Sequence, residues 1–551
     1  MKEGSGIEKQ PLKNSKRKMS VQQGDVPNST SSHQLIDDDD SVNSRQPIQN
    51  EITERNLKTV TRTEWTTVLI LCFINLINYM DRYTMAGILG DIQSYFSIGD
   101  DQGGLLQTVF VISYMVFAPL FGYLGDRYNR KIIMASGVFL WSLTTLLGSF
   151  MNNFGFFITF RALVGVGEAS YSTIAPTIIS DLFAKDIRSK MLALFYFAIP
   201  VGSGLGYIAG SAMAHIGGSW HWALRVTPAL GLVAVILIKF IQDPVRGHSE
   251  QSMDLEPTSY TDDLKSLLKN RSFMLSTAGF TCVAFVTGAL AWWGPKFIHS
   301  GMILQPGNRD VTINEVAFVF GLLTMISGLV GVPLGSYLSQ SLKKTYPRAD
   351  PLLCAAGLLI STPLLAAGML VVQLNSTVAF ILMFFGELAL NLNWAIVADI
   401  LLYVVIPTRR STAEAFQILI SHTFGDAGSP YLIGVISEAL KPLLSPSGVA
   451  VTASALLLNT QSESSIDKIS LVEKYSNYNS SDYSLDGPNF RSMQYALFTT
   501  SFVEVLGGLF FLLTAVYITR DRSKAEMAVE DGRMELSESS TSGDSNAYSP
   551  S

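Results

Sequence analysis

Asp81 and Arg82 stand side by side in an otherwise apolar run, Trp65 to Leu89. A second apolar run, Phe154 to Ile179, carries Arg161 and Glu168. Seven residues is about two helical turns, so that second pair shares a face. Charges inside a bilayer are expensive and face either a partner or a water-filled cavity. Arg82 and Arg161 offer planar forks suited to a phosphate, a geometry that lysine lacks, and are candidate substrate-binding residues. Glu168, a carboxyl on an apolar helix, is a candidate to exchange protons, with Asp81 beside an arginine as the second proton-coupling carboxylate. Static ion pairs pinning the two helices are the plainer alternative, but buried pairs seldom add net stability.

These residues need a membrane-spanning frame. The chain has 551 residues, 48% hydrophobic and only 15% charged, where a soluble protein carries nearer 25% charged residues. The net charge of −6 reflects acidic tails such as Asp37 to Asp40, not a nucleic-acid profile. Apolar runs close to the ~20 residues that cross a bilayer recur twelve times. They lie at 66–89, 104–125, 132–151, 154–179, 190–213, 222–242, 273–298, 315–340, 351–373, 376–403, 411–434 and 494–519. The fold class expected is an all-α membrane protein. Cys72, Cys282 and Cys354 fall within apolar runs, show no paired spacing and read as packing residues.

The loops orient the runs. Arg127, Arg130 and Lys131 follow the second, Lys185, Arg188 and Lys190 the fourth, Lys265, Lys269 and Arg271 the sixth, Lys343 and Lys344 the eighth, and Arg409 and Arg410 the tenth. An excess of Lys and Arg marks the cytoplasmic side. The expected organisation is a disordered cytoplasmic tail over 1–62, a six-helix half over 63–243, a cytoplasmic linker over 244–272, a second half over 273–520 and a disordered cytoplasmic tail over 521–551. The first run acts as an uncleaved anchor. The connection 435–492 then faces the lumen or exterior, and it carries a glycosylation sequon at Asn479.

The halves echo each other. Gly167-Glu168, Asp181 and Arg188-Ser189 correspond to Gly386-Glu387, Asp399 and Arg410-Ser411. The glycine and terminal lysine of Gly122 to Lys131 return in Gly335 to Lys344. Two pseudo-symmetric six-helix halves with a midplane site form a secondary-transporter architecture, moved by rocking of one half on the other.

The loop Gly122-Tyr-Leu-Gly-Asp126-Arg127-Tyr-Asn-Arg130-Lys131 resembles the signature loop of the major facilitator superfamily, with Asn129 where glycine is usual. Within it the chain resembles the spinster family. The residues that carry the resemblance are Asn78 to Thr84, Gly165 to Thr177, Phe195 to Pro200, Trp220 to Arg225 and Gly425 to Pro430, and it spans about 62–435 and 494–520. It implies transport of lysophospholipids or sphingolipids, in some members coupled to protons. Tyr79, inside the first of these motifs, joins the substrate-binding candidates. The superfamily likeness also implies a latch in which Asp126, Arg127 and Arg130 gate the cytoplasmic side, with Asp126 facing the helix start at Ser411 and Thr412.

At 1.5 Å per residue, Asp81 and Arg161 fall at similar depth, and Glu168 lies about 10 Å nearer the cytoplasm. This favours an Arg161–Asp81 pair and leaves Arg82 to bind substrate or swing toward Glu168. Glu387 is the repeat partner of Glu168, with Trp394 further along the same run, and both join the substrate-binding candidates. His422 and Asp426 lie one turn apart. His422 is either a bonded interior histidine or part of a proton relay and substrate site, and Asp426 is a gating candidate. Gly202, Gly204, Gly206 and Gly210 permit close helix contact, either for sliding or for static packing. Trp292 and Trp293 are expected as interface anchors.

No Walker loop follows a strand, no His/Cys cluster has metal spacing and no nucleophile elbow occurs, so no catalytic residue, metal or cofactor is expected. The function expected is a proton-gradient-driven carrier of an anionic or zwitterionic amphipathic lipid, working as a monomer in the bilayer, with no nucleic-acid partner. The alternatives are a carrier of a small organic anion or sugar, or a receptor or scaffold. A lysosomal or late endosomal membrane fits proton coupling better than the plasma membrane.

Overall fold

The computed structural model describes residues 60–183, 185–244, 260–406, 409–445 and 486–544, leaving the side chains of Asp126, Ser411 and a few others undescribed. Helix occurs at each of the twelve expected positions. The first half comprises α1 (Arg62–Gly87), the short α2 (Leu89–Phe96), α3 (Asp100–Arg127), α4 (Arg130–Gly148), α5 (Phe154–Leu182), α6 (Lys185–Ile216) and α7 (Ala223–Ile238). A linker helix, α8 (Tyr260–Lys269), precedes the second half. That half comprises α9 (Arg271–Ile303), α10 (Ile313–Lys343), α11 (Ala349–Val371), α12 (Ser376–Asn391) continued by α13 (Asn393–Val404), α14 (Arg410–Ser421) continued by α15 (Gly428–Leu444), and α16 (Asp486–Asp544). Among the described residues nine helices are long and apolar enough to cross a membrane. The three spans that fall short are α1 and α5, which carry the buried charges, and the broken α14–α15.

Local chemistry sets the helix starts. Thr61 accepts from the Glu64 amide while Glu64 reaches back to the Thr61 amide, a capping box that opens α1. Thr312 and Glu315 do the same for α10. Asn129, in the signature loop, caps α4 by accepting from the amides of Lys131 and Ile132. Between α14 and α15 the chain forms a π turn, His422–Asp426, in which Gly425 (φ −93°, ψ −107°) leaves the helical path.

Three of the span-five glycines lie against α1: a Cβ on Gly202 would sit 2.6 Å from the Leu76 carbonyl oxygen, one on Gly206 2.5 Å from that of Met80, and one on Gly210 2.9 Å from Thr84. Gly204 turns the other way, toward the Gly321 carbonyl on α10, and so lies between the halves. α3 and α15 also cross between the halves. A Cβ on Gly104 would fall 2.2 Å from the Pro430 carbonyl oxygen, so these backbones touch where no side chain fits. Gly104→Val is therefore expected to force the halves apart at this end. Distance distributions between spin labels on the two halves would lengthen there, and an unchanged distribution in a folded variant would overturn this.

The Lys- and Arg-rich connections gather at one end of the bundle, called here the basic end; the opposite is the far end. The seam between the halves lies toward the far end. Trp292 and Trp293 close it: they are buried, and their indole N–H groups donate to the carbonyls of Gly103 (3.1 Å) and Pro430 (2.9 Å). The expectation that they anchor to the bilayer interface is thus corrected, because the seam offers each indole an acceptor. Tyr207 donates to the Ala291 carbonyl, and Thr108 to that of Ala427 at 2.5 Å.

One boundary differs from expectation. α16 runs on to Asp544, past residue 520 where a disordered tail was expected to begin. The first part of its polar continuation, up to Glu530, is rich in helix formers and carries an i,i+4 pair, Arg522–Glu526, at 2.9 Å. Asn479, the acidic run at Asp37 and residues 1–59 lie outside the described residues. The three cysteines are free thiols.

Candidate functional site

α1 and α5 run antiparallel, which fixes how their charges meet. Asp81 is 1% exposed and lies 3.8 Å from Arg161 Nη1. The separation exceeds hydrogen-bond length, and neutral donors complete the carboxylate's shell: Thr227 on α7 donates to one oxygen, Thr145 on α4 lies 3.5 Å from the other, and the Trp141 side chain on α4 also donates. The pairing expected from helix depth is present, and two threonines that sequence reasoning missed support it.

Arg82 takes the other course that was open to it and reaches Glu168, with Nη2 3.3 Å from Oε2. Helical side chains lean back toward their own N-terminus. A long side chain at position 82 therefore extends toward the basic end, where the antiparallel α5 holds Glu168. The Asn78 amide, one turn earlier on α1, lies 3.2 Å from both Glu168 oxygens when oriented to donate. Glu168 itself is 0% exposed.

Aromatic rings enclose the guanidinium. Arg82 lies 5.1 Å from the Tyr79 ring centroid, 4.9 Å from Phe110 and 5.9 Å from Tyr114. Arg161 lies 4.2 Å from the same Phe110 ring, which is thus shared by both arginines. Phe110 and Tyr114 are α3 residues in an ordinary apolar run, and nothing in their spacing marked them. Arg82 Nε and both Nε and Nη2 of Arg161 are buried without a protein partner. A small cleft lined by Thr144, Thr145, Gly148, Arg161, Val164 and Leu224 opens beside Arg161. Such donors suit an oxyanion.

The second half contributes separate groups. His422 Nδ1 and Asp426 Oδ1 are 2.7 Å apart in the π turn. The His422 ring faces Tyr114 at 6.3 Å, so this pair lies across Tyr114 from Arg82. Glu387 is buried on α12 and accepts from Ser327 Oγ (3.1 Å), to which Asn391 also donates at 3.4 Å. Among the described residues no hydrogen bond or ion pair joins Glu387 to the four-charge set. Trp394 packs edge-on against Phe280 at 5.0 Å and is part exposed.

The signature-loop residues divide. Arg130 is buried and bonds Asp181 on α5 at 2.6 Å, inside its own half. Arg127 is exposed and lies over the Tyr123 ring at 4.3 Å. The Asp126–Ser411 contact expected of a latch falls on side chains outside the described set.

Replacing Arg82 with Lys is expected to weaken binding of an anionic lysolipid about tenfold, since a point charge loses the fork's second bond and a charged hydrogen bond is worth about 1.5–3 kcal/mol. Binding to the purified protein measures this, and unchanged affinity would remove Arg82 from headgroup recognition.

The Major Facilitator Superfamily profile matches residues 71–428. The chain is 64% identical over 486 residues to protein spinster of Drosophila melanogaster, covering 86% of this chain and 80% of that protein. It is 50% identical over 476 residues to protein spinster homolog 1 of Homo sapiens, covering 84% and 83%. Among solved structures, a bacterial homolog to the human lysosomal transporter spinster, in an inward-facing and unoccupied conformation, superposes with a TM-score of 0.70 at 22% identity. That superposition covers 84% of this chain and 99% of the bacterial one, and shares the fold. A helical bundle in two six-helix halves, buried charge on α1 and α5 and these relatives together identify a multi-pass membrane transporter that belongs to the spinster family of the major facilitator superfamily.

Proposed function

We propose that the chain carries an anionic or zwitterionic amphipathic lipid, a lysophospholipid or a sphingosine-type phosphate, by alternating access coupled to protons. One observation carries the reading. Arginine nitrogens without protein partners stand among aromatic rings, beside a fully buried Glu168. Guanidinium donors suit a phosphate, apolar and aromatic walls suit a chain, and a carboxyl bonded to the headgroup arginine links proton binding to substrate binding. Asp81 is the second proton-coupling carboxylate, while Tyr79, Arg161, Glu387, Trp394 and His422 complete the binding surface. Asp126, Arg127 and Arg130 act in gating at the basic end, which is the cytoplasmic side, and Asp426 acts in gating at the π turn. The likeness to a bacterial homolog of a human lysosomal transporter supports a lysosomal or late endosomal membrane.

The test is uptake of a panel of labelled lysophospholipids and sphingoid phosphates into liposomes, with and without a pH gradient. Accumulation that follows the gradient is expected for at least one lipid. Gradient-independent flux would remove the proton coupling, and flux of sugars or small organic anions in place of lipids would favour the other substrate class.

A further inference from the structure

Asp100, in the first turn of α3 at the far end, is held almost entirely by the opposite half. Its Oδ1 accepts from Lys296 Nζ of α9 at 2.5 Å. Its Oδ2 accepts from Lys441 Nζ (2.8 Å) and Ser437 Oγ (2.9 Å) of α15. Glu438 Oε1 accepts from the Asp100 amide at 2.5 Å and from Lys441 at 2.5 Å, so one half supplies a carboxylate at the helix N-terminus of the other. From its own half the Asp100 carboxylate receives Gln93 Nε2 at 3.0 Å. The side chain is 3% exposed.

The donors share a scaffold. Lys296, Ser437 and Lys441 lie on α9 and α15 of the second half, and Ser437 is braced by Ser492 of α16 at 3.3 Å. The first half supplies the anion, Asp100, and Gln93, whose Oε1 also accepts from Lys296 Nζ at 2.5 Å. If the halves rock apart at the far end, Asp100 leaves with α3, and two ammonium groups and a hydroxyl remain together facing the vestibule. With Glu438 present that set carries a net charge of +1, which matches one anionic group.

We propose that Lys296, Lys441 and Ser437 form an anion site that Asp100 occupies as an internal ligand, so that a phosphate or carboxylate headgroup on the far side competes with Asp100 and favours the far-end-open state. The site is separate from the arginines of the four-charge set, and only its gating consequence rests on the alternating-access reading. A ligand shifts a two-state equilibrium by its differential affinity for the states. Here the difference is built in, because Asp100 occupies the donors in one state and leaves them in the other, where Lys441 keeps only its bond to Glu438.

The probe is inorganic phosphate, compared with chloride at equal ionic strength, on the purified full chain. Binding is followed by equilibrium dialysis, and far-end separation by spin labels at Ile216 and Leu374, both exposed. Asp100→Asn removes the internal competitor and is expected to bind phosphate at least tenfold more tightly than the parent. Asp100→Asn combined with Lys441→Gln is expected to lose that gain, and Lys441→Arg to keep it. Phosphate, but not chloride, is expected to lengthen the far-end distance in the parent. Equal phosphate affinity in the single and double variants would overturn the site and leave the contact a plain salt bridge. Tighter binding in Asp100→Asn with no change in distance under any condition would keep the site and overturn its link to gating. Should Asp100→Asn fail to fold, Glu438→Gln leaves both lysines and Asp100 in place and is expected to tighten phosphate binding by freeing Lys441; unchanged binding would overturn the proposal.

Discussion

Glu168→Gln is expected to abolish accumulation driven by a pH gradient while leaving substrate exchange within a few-fold of the parent. Glutamine keeps the length of the side chain and an oxygen to accept from Arg82, now 3.3 Å from the carboxylate, but it has no proton to gain or lose. Arg82 is not stranded by the change, because three aromatic rings remain within 6 Å and its side chain is 11% exposed. The paired measurement is uphill uptake and equilibrium exchange in the same vesicles. Full gradient-driven accumulation by the variant would end the proton role of Glu168, and loss of both activities would assign it to binding or folding.

Arg161→Ala is expected to carry the largest stability cost of any single change in the site. Removing one partner of a buried pair leaves an uncompensated charge, a loss of about 3–5 kcal/mol. Asp81 would retain only neutral donors, the Thr227 and Thr145 hydroxyls and the Trp141 side chain. Pairing Arg161→Met with Asp81→Asn should recover much of the loss, because a neutral polar group can still use those hydroxyls. Thermal unfolding in detergent of the single and double variants tests this. Equal midpoints for the two would mean that the charges do not act as a unit. The same double variant is expected to remain inactive, which separates stability from transport.

Much of this frame was legible in the chain itself. A run of ~20 apolar residues has few other uses, and a fixed rise per residue converts sequence position to depth. That arithmetic brought Arg161 to Asp81. It could not place Arg82, whose side chain is long enough for several partners and was settled by the lean of helical side chains toward the N-terminus. Phe110 and the seam tryptophans were illegible for another reason. An aromatic residue in a membrane helix looks the same whether it meets lipid, a cation or a carbonyl across an interface. Asp100, Lys296 and Lys441 stood at the ends of runs, where charge is usual, and only the packing of α3 on α9 and α15 joined them. Glu504, a lone carboxyl in the last span, was missed by sequence reasoning; it is fully buried and accepts from Ser361 Oγ at 2.9 Å.

The departure of Gly425 from the helical path divides one crossing of the bilayer into two rods. α15 is joined to the first half by backbone contact at Pro430 and by the bonds to Asp100. Those contacts lie on the far-end side of the break, whereas α14 begins at the basic end. The boundary between moving bodies can therefore pass through the middle of a helix as well as between helices. A label on α14 and a label on α15 would follow different trajectories, although both sit on what hydropathy counts as a single span. A description of the cycle as two rigid six-helix blocks would miss a joint inside the second block, and the joint lies level with the His422–Asp426 pair.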